Sequence, residues 1–173
     1  MGGDAVAFDA LIERHGDHLH SVARRILRDP YLAEDATQRA LLDAWRYLPT
    51  LRDPDRFEAW LHRLIVHACH AEARHERRHR TNVPLLAIDE PFEMDSASTI
   101  ATRQQLDLAF RRLGVEHRTV VVLIHYVGMS AIEAATATGT PVGTVRSRLH
   151  YALKHLRAAI EADARYEQEV GTA

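Results

Sequence analysis

The apolar positions along this chain recur at steps of three and four, and no stretch alternates residue by residue as a half-buried strand requires. Between residues 4 and 28 the repeat runs through Phe8, Leu11, Ile12, Leu19, Val22, Ile26 and Leu27. Gly16 is its weak point, and Asp29-Pro30 stops it. A second helix is predicted from Leu32 to Leu48, turning Ala33, Ala36, Ala40, Leu41, Ala44 and Leu48 inward, with Pro49 ending it. TLRDPD (50–55) reads as a loop rich in turn residues. A third helix, 56–79, buries Phe57, Leu61, Leu64, Ile65 and Ala68. Its other face repeats Arg63, His67, His70, Arg74 and Arg77, which makes one basic or titratable ridge. Three helices with short connections predict a compact helical bundle.

Residues 80 to 98 lose the periodicity, contain two prolines and are net acidic through Asp89, Glu90, Glu93 and Asp95, so 81–97 reads as a flexible linker. Helices are predicted again over 98–113 and 116–127. SAIEAATATGTPVGTVRSRLHYALKHLR (130–157) then reads as a helix, a tight turn and a longer helix. Ser130 and Glu133 have the spacing of a capping box, and Gly139 suits the left-handed end of the first helix. Thr140 is expected to cap the second, with Pro141 at its first position. There Val142, Val145, Leu149, Ala152, Leu156 and Ile160 form an inward stripe. Thr144, Arg146, Ser147, Arg148, Tyr151 and Lys154 lie on the polar side, and 141–157 holds no Asp or Glu. A one-signed face on a helix held by a short turn suits the major groove of DNA. The tail after Ala164 is polar and expected to fray.

The expectation is thus an all-α chain of two small helical domains, 1–80 and 98–173, joined by the linker. Composition narrows the function classes. A net charge of −2 over 173 residues confines any DNA affinity to local faces. A single cysteine, Cys69, excludes an internal disulfide and fits a reducing compartment. The absence of a long apolar run predicts no membrane insertion and a cytoplasmic protein. Histidine is abundant, twelve residues, and His67, His70, His75 and His79 include spacings that place ligands on one helix face. With no third ligand or general base assignable, neither metal nor cofactor nor enzymatic activity is expected; a zinc hydrolase is the more remote alternative.

Three stretches in order carry a resemblance. AEDATQRALLDAW (33–45), RFEAWLHRLIVHAC (56–69) and GMSAIEAATATGTPVGTVRSRLHYALKHLR (128–157) resemble regions 2.2, 2.3–2.4 and 4.2 of bacterial extracytoplasmic-function sigma factors, the small class of the sigma-70 family. The resemblance implies a protein that binds core RNA polymerase and directs promoter-specific initiation. Asp35, Gln38 and Trp45 match the region that docks on the polymerase β′ subunit, and the β subunit is a further expected contact. Phe57, Trp60, Arg63, His67, His70, Arg74 and Arg77 fall on the region that opens and holds the −10 element. Thr144, Arg146, Ser147, Arg148 and Tyr151 fall on the helix that reads the −35 duplex. The resemblance also implies an anti-sigma partner. The chain departs from the family pattern at Arg39, Asp43 and His67, at Gly114-Val115, and at the small residues Ala134, Thr138 and Thr140. The main alternative, a helix-turn-helix regulator with an N-terminal sensing domain, leaves the first two motifs unexplained.

Overall fold

A computed structural model describes residues 2–79 and 100–170, with side chains for Phe8, 10–79 and 106–161. The predicted linker, 81–97, lies outside the described residues. Each apolar repeat becomes a helix: α1 (Gly2–Leu27), α2 (Pro30–Tyr47), α3 (Phe57–His79), α4 (Ile100–Arg112), α5 (Val115–Val121), α6 (Ala131–Thr138) and α7 (Val142–Val170). Among the described residues there is no strand, and no helix is long and apolar enough to cross a membrane.

The breakers act as starts as well as stops. The Asp29 carboxylate accepts from the Tyr31 and Leu32 amides at 2.9 and 3.0 Å, and Pro30 fills the first turn of α2. Arg28 takes the left-handed conformation (φ 60°) that closes α1, its amide bonding the Arg24 carbonyl at 2.9 Å. α1 passes through Gly16 without a break. The α2 face toward α1 and α3 is small, with Ala33, Ala36, Ala40 and Ala44 buried. Against it pack Leu19, Val22, Ile26, Leu61, Ile65 and Val66, all buried. Each such side chain contributes about 1.5–3 kcal/mol relative to exposure. Cys69 belongs to this core and is fully buried.

The second unit departs from expectation at four points. The helix predicted over 116–127 is α5 followed by a π-helical turn at Val122–Tyr126, where the Val127 amide reaches back five residues to Val122 at 3.0 Å. Pro141 occupies the cap of α7 itself: its carbonyl accepts from Val145 at 3.1 Å. The Thr140 hydroxyl pairs instead with that of Thr138 at 2.8 Å, inside the turn. Ile160, predicted inward, is exposed. α7 runs on to Val170 rather than fraying after Ala164, through residues of good helix propensity. The rest follows the sequence. Ser130 and Glu133 form a reciprocal capping box and Gly139 is left-handed at φ 65°. Val145, Ala152 and Leu156 are buried.

The units share a seam. α1 lies against α5 and the π turn, and α3 lies against α5 and α6.

Candidate nucleic-acid interface

The ridge on α3 forms as its period requires, since the helix buries Leu61, Ile65, Ala68 and Cys69 on one side. Arg63, His67, Arg74 and Arg77 are exposed on the other. His67 is held below the usual imidazole range by partial burial and then by Arg63 and Arg74. It is therefore predominantly neutral at pH 7, and the fixed charge of the ridge comes from its arginines. Phe57 and Trp60, both half-buried, sit at the start of the helix with rings 5.9 Å apart, and Phe57 meets the His15 ring at 5.5 Å. Clustered aromatics beside exposed guanidiniums are a combination that suits single-stranded nucleic acid.

His70 is the member of the ridge that does not face outward. Its Nε2 lies 3.0 Å from the Thr119 hydroxyl on α5. Thr119 is fully buried and already donates to the Val115 carbonyl at 2.7 Å, so its oxygen accepts from His70. Burial first, then Arg74, His67 and Arg148, lower the His70 pKa, with Glu116 opposing. Arg77 reaches the Glu116 carboxylate at 3.8 Å.

On α7, Arg146, Ser147 and Tyr151 are exposed, and the Ser147 hydroxyl donates to the Thr144 carbonyl at 3.0 Å. Thr144 and Arg148 are half-buried. Arg148 is directed toward the seam, near enough for its charge to depress both His70 and Glu116. The Tyr151 ring lies between those of His117 at 4.8 Å and His155 at 5.9 Å, tilted to both. α2 presents a different surface, a polar and aromatic one. Asp35 and Gln38 are exposed, with Gln38 Nε2 3.4 Å from Glu34. Trp45 is 45% exposed and meets the Phe8 ring at 4.7 Å. Tyr31, Leu42 and Tyr47 are exposed at separate positions of the same helix.

Several structurally decisive polar residues have no counterpart in the sequence reading. Arg118 is the clearest. Its Nε donates to the Ile26 carbonyl at 2.6 Å, while Nη1 donates to Arg111 and Leu113 at 3.2 and 3.0 Å. One guanidinium thus satisfies the free carbonyls at the ends of two helices, α1 and α4. Burial and the neighbouring Arg28 bring its pKa down to about 10, still charged at pH 7. Arg28 pairs with Asp107, which also accepts from Arg111 at 2.8 Å. The local sequence VEHRTVV carries only a weak signal, a cation in a short segment with three valines, and nothing in it points to the distant partners. Among the described residues no group of three His, Cys, Asp or Glu is arranged to hold a metal ion. His79 Nδ1 donates to the His75 carbonyl at 2.8 Å, and the two rings stack.

A helix-turn-helix with an exposed basic face, following a three-helix unit with an aromatic-flanked basic ridge, has the form of a two-part helical DNA-binding protein. The chain belongs to the extracytoplasmic-function sigma factors of the sigma-70 family and directs promoter-specific transcription initiation. Residues 11–79 match sigma-70 region 2, and residues 103–156 match sigma-70 region 4. The chain is 34% identical over 149 residues to the ECF RNA polymerase sigma factor SigM of Mycobacterium tuberculosis, covering 86% of this chain and 74% of that protein. It is 33% identical over 160 residues to the RNA polymerase sigma-E factor of Streptomyces coelicolor, covering 92% and 89%. The solved structure of CnrH in complex with the cytosolic domain of CnrY is similar at a TM-score of 0.65 and 29% identity, over 94% of this chain and 92% of that one. The sigma factor RpoE of Bartonella quintana, solved with the anti-sigma factor NepR, shares the fold at a TM-score of 0.71 and 21% identity, over 91% and 98%. Region 2 accounts for the segment that a sensing domain left unexplained, and neither that alternative nor a hydrolase is favoured.

Proposed function

We propose a division of labour among three helices. α2 docks the chain on core RNA polymerase at the β′ subunit through Asp35, Gln38 and Trp45, with the β subunit contacted as well. α3 opens and holds the −10 element: Phe57 and Trp60 supply stacking surfaces, and Arg63, Arg74 and Arg77 track the backbone, with His67 and His70 beside them. α7 reads the −35 duplex with Thr144, Arg146, Ser147, Arg148 and Tyr151. The corresponding domains are 1–80 and 98–173, with 81–97 as the connector. The observation that carries this assignment is the exposure of one basic face on each of α3 and α7, helices whose opposite faces are buried. An anti-sigma factor is the further expected partner; the relative CnrH is bound to the cytosolic domain of CnrY.

Run-off transcription with core polymerase on a promoter library tests the assignment. The protein should select templates sharing two separated elements. Asp35→Lys with Gln38→Ala should abolish polymerase binding while helicity by circular dichroism is unchanged. Undiminished capture of the β′ subunit by that variant sinks the docking face.

A further inference from the structure

The seam between the units is polar, and two histidines withdrawn from solvent lie in it or beside it. At the first, His62 is buried on α3 and its Nδ1 lies 2.7 Å from the Glu58 carbonyl. A carbonyl only accepts, so the proton is on Nδ1, and a neutral His62 accepts at Nε2. That nitrogen lies 3.2 Å from Nε2 of His18, which must therefore donate. His18 in turn stacks on Tyr126 of the second unit, rings 5.7 Å apart and 15° from parallel. The Arg25 guanidinium lies 3.8 Å from the centre of the same Tyr126 ring. A second proton on His62 puts a charge in a buried site and obliges His18 to reverse its role in the bond, from donor to acceptor. The charged or titratable groups around His62 are Glu58, His18 and His15. The nearest acidic group, Glu58, offers its backbone carbonyl and lies within range by charge, and His15 and His18 oppose any added proton.

At the second, His70 donates to Thr119 across the seam, a bond either protonation state makes, so what disfavours a second proton there is burial among cations. It is faced by His67 and Arg74 from its own helix, by Glu116 from α5 and by Arg148 from α7. Glu116, the sole acidic member of that group, is shared with Arg77. A proton gained by His70 places a further cation among Arg74, Arg77 and Arg148. While closed, the seam occupies His70 and Arg77 of the proposed −10 ridge and turns Arg148 of the −35 helix inward.

We propose that this seam is a proton-sensitive latch: with His62 and His70 neutral the two units close and cover part of each DNA face, and protonation of either histidine opens them. The sign follows from linkage. Both imidazoles are held below their ordinary value in the closed form, chiefly by burial. The open form therefore binds protons more readily, and closure is fully favoured above the ordinary histidine range and lost as pH falls through it. The consequence for DNA rests on the promoter reading above, whereas the test reads only shape, so the two fail separately.

Small-angle X-ray scattering of the full chain at about pH 7.5 and about pH 5.5, with circular dichroism on the same samples, is the experiment. The parent should expand at the lower pH with its helicity unchanged. Arg118→Met, which removes the staple between α1 and α4, should be expanded at both. His62→Gln with His70→Gln retains donors and acceptors but gains no charge, and should stay closed at both. An equal size for the parent at the two pH values overturns the proposal, as does acid expansion of the double variant equal to the parent's. Should the double variant already be open at the higher pH, proton NMR of the parent decides. His62 and His70 midpoints that coincide with the expansion support the latch, and midpoints elsewhere overturn it.

Discussion

Ile65 on α3 and Ala134 on α6 are both fully buried, yet they hold their helices by different means. α3 is fixed by volume: Leu61, Ile65 and Val66 fill the space against the small face of α2. α6 buries only Ala134, Ala135 and Ala137 and has eight residues, too few to be stable alone. Its definition comes from its ends, a reciprocal capping box at Ser130 and Glu133 and a left-handed glycine at 139. The contrast teaches which helix tolerates which insult. A helix packed by volume presents its outer ridge rigidly whatever its ends do, while a capped helix presents the turn before α7 only as long as the cap holds.

The sharpest way to break this comparison is to empty the α3 core. Ile65→Ala should cost about 2–5 kcal/mol by chemical denaturation. A cost below 1 kcal/mol would mean that volume is not what fixes α3.

The two arginines of α7 come next. Arg148→Ala should weaken binding to a −35 duplex in the polymerase complex by about 1–3 kcal/mol and relax preference at one position. Arg146→Ala, exposed at the flank, should weaken all duplexes alike and lower the salt slope by about one. Fluorescence anisotropy on matched and mismatched duplexes separates the pair, and parental binding by both would remove α7 as the reading helix.

The smallest effect belongs to the cap. Ser130→Ala should cost about 1 kcal/mol, well below the Ile65 change. Hydrogen bonds from the Ser130 side chain and backbone hold the Glu133 carboxyl below its usual range. The contribution of the box is therefore present above the ordinary carboxylate range and lost as pH falls through the lowered value. Thermal melts at descending pH should show the gap between parent and Ser130→Ala narrowing to the part set by the bond from the Glu133 amide to the Ser130 hydroxyl, which does not titrate; a constant gap would show that the Glu133 carboxylate has no part in it.

The helices, their breakers and the two basic faces were legible because each is a local pattern of period three or four. The capping box and Gly139 were legible for the same reason, as spacings within ten residues. What escaped is non-local. Arg118 with Ile26, Arg28 with Asp107, and His70 with Thr119 join positions 92, 79 and 49 residues apart, and no periodicity announces such a pairing. His70 shows the result: its register assigned it to the outward ridge of α3, while in the structure it turns to a bonding partner on a helix beyond the linker. The π turn escaped for a subtler reason, since VLIHY carries the same apolar residues that an ordinary α-helix would.

Cys69 has a practical consequence. The thiol is fully buried and pushed up to about 12 by burial, with Glu72 adding to the effect. At neutral pH almost none of it is thiolate, the form that attacks peroxides, disulfides and maleimides. The folded chain is therefore deaf to oxidants at its one native sulfhydryl. It will also accept fluorophores or spin labels at introduced surface cysteines without Cys69 having to be replaced.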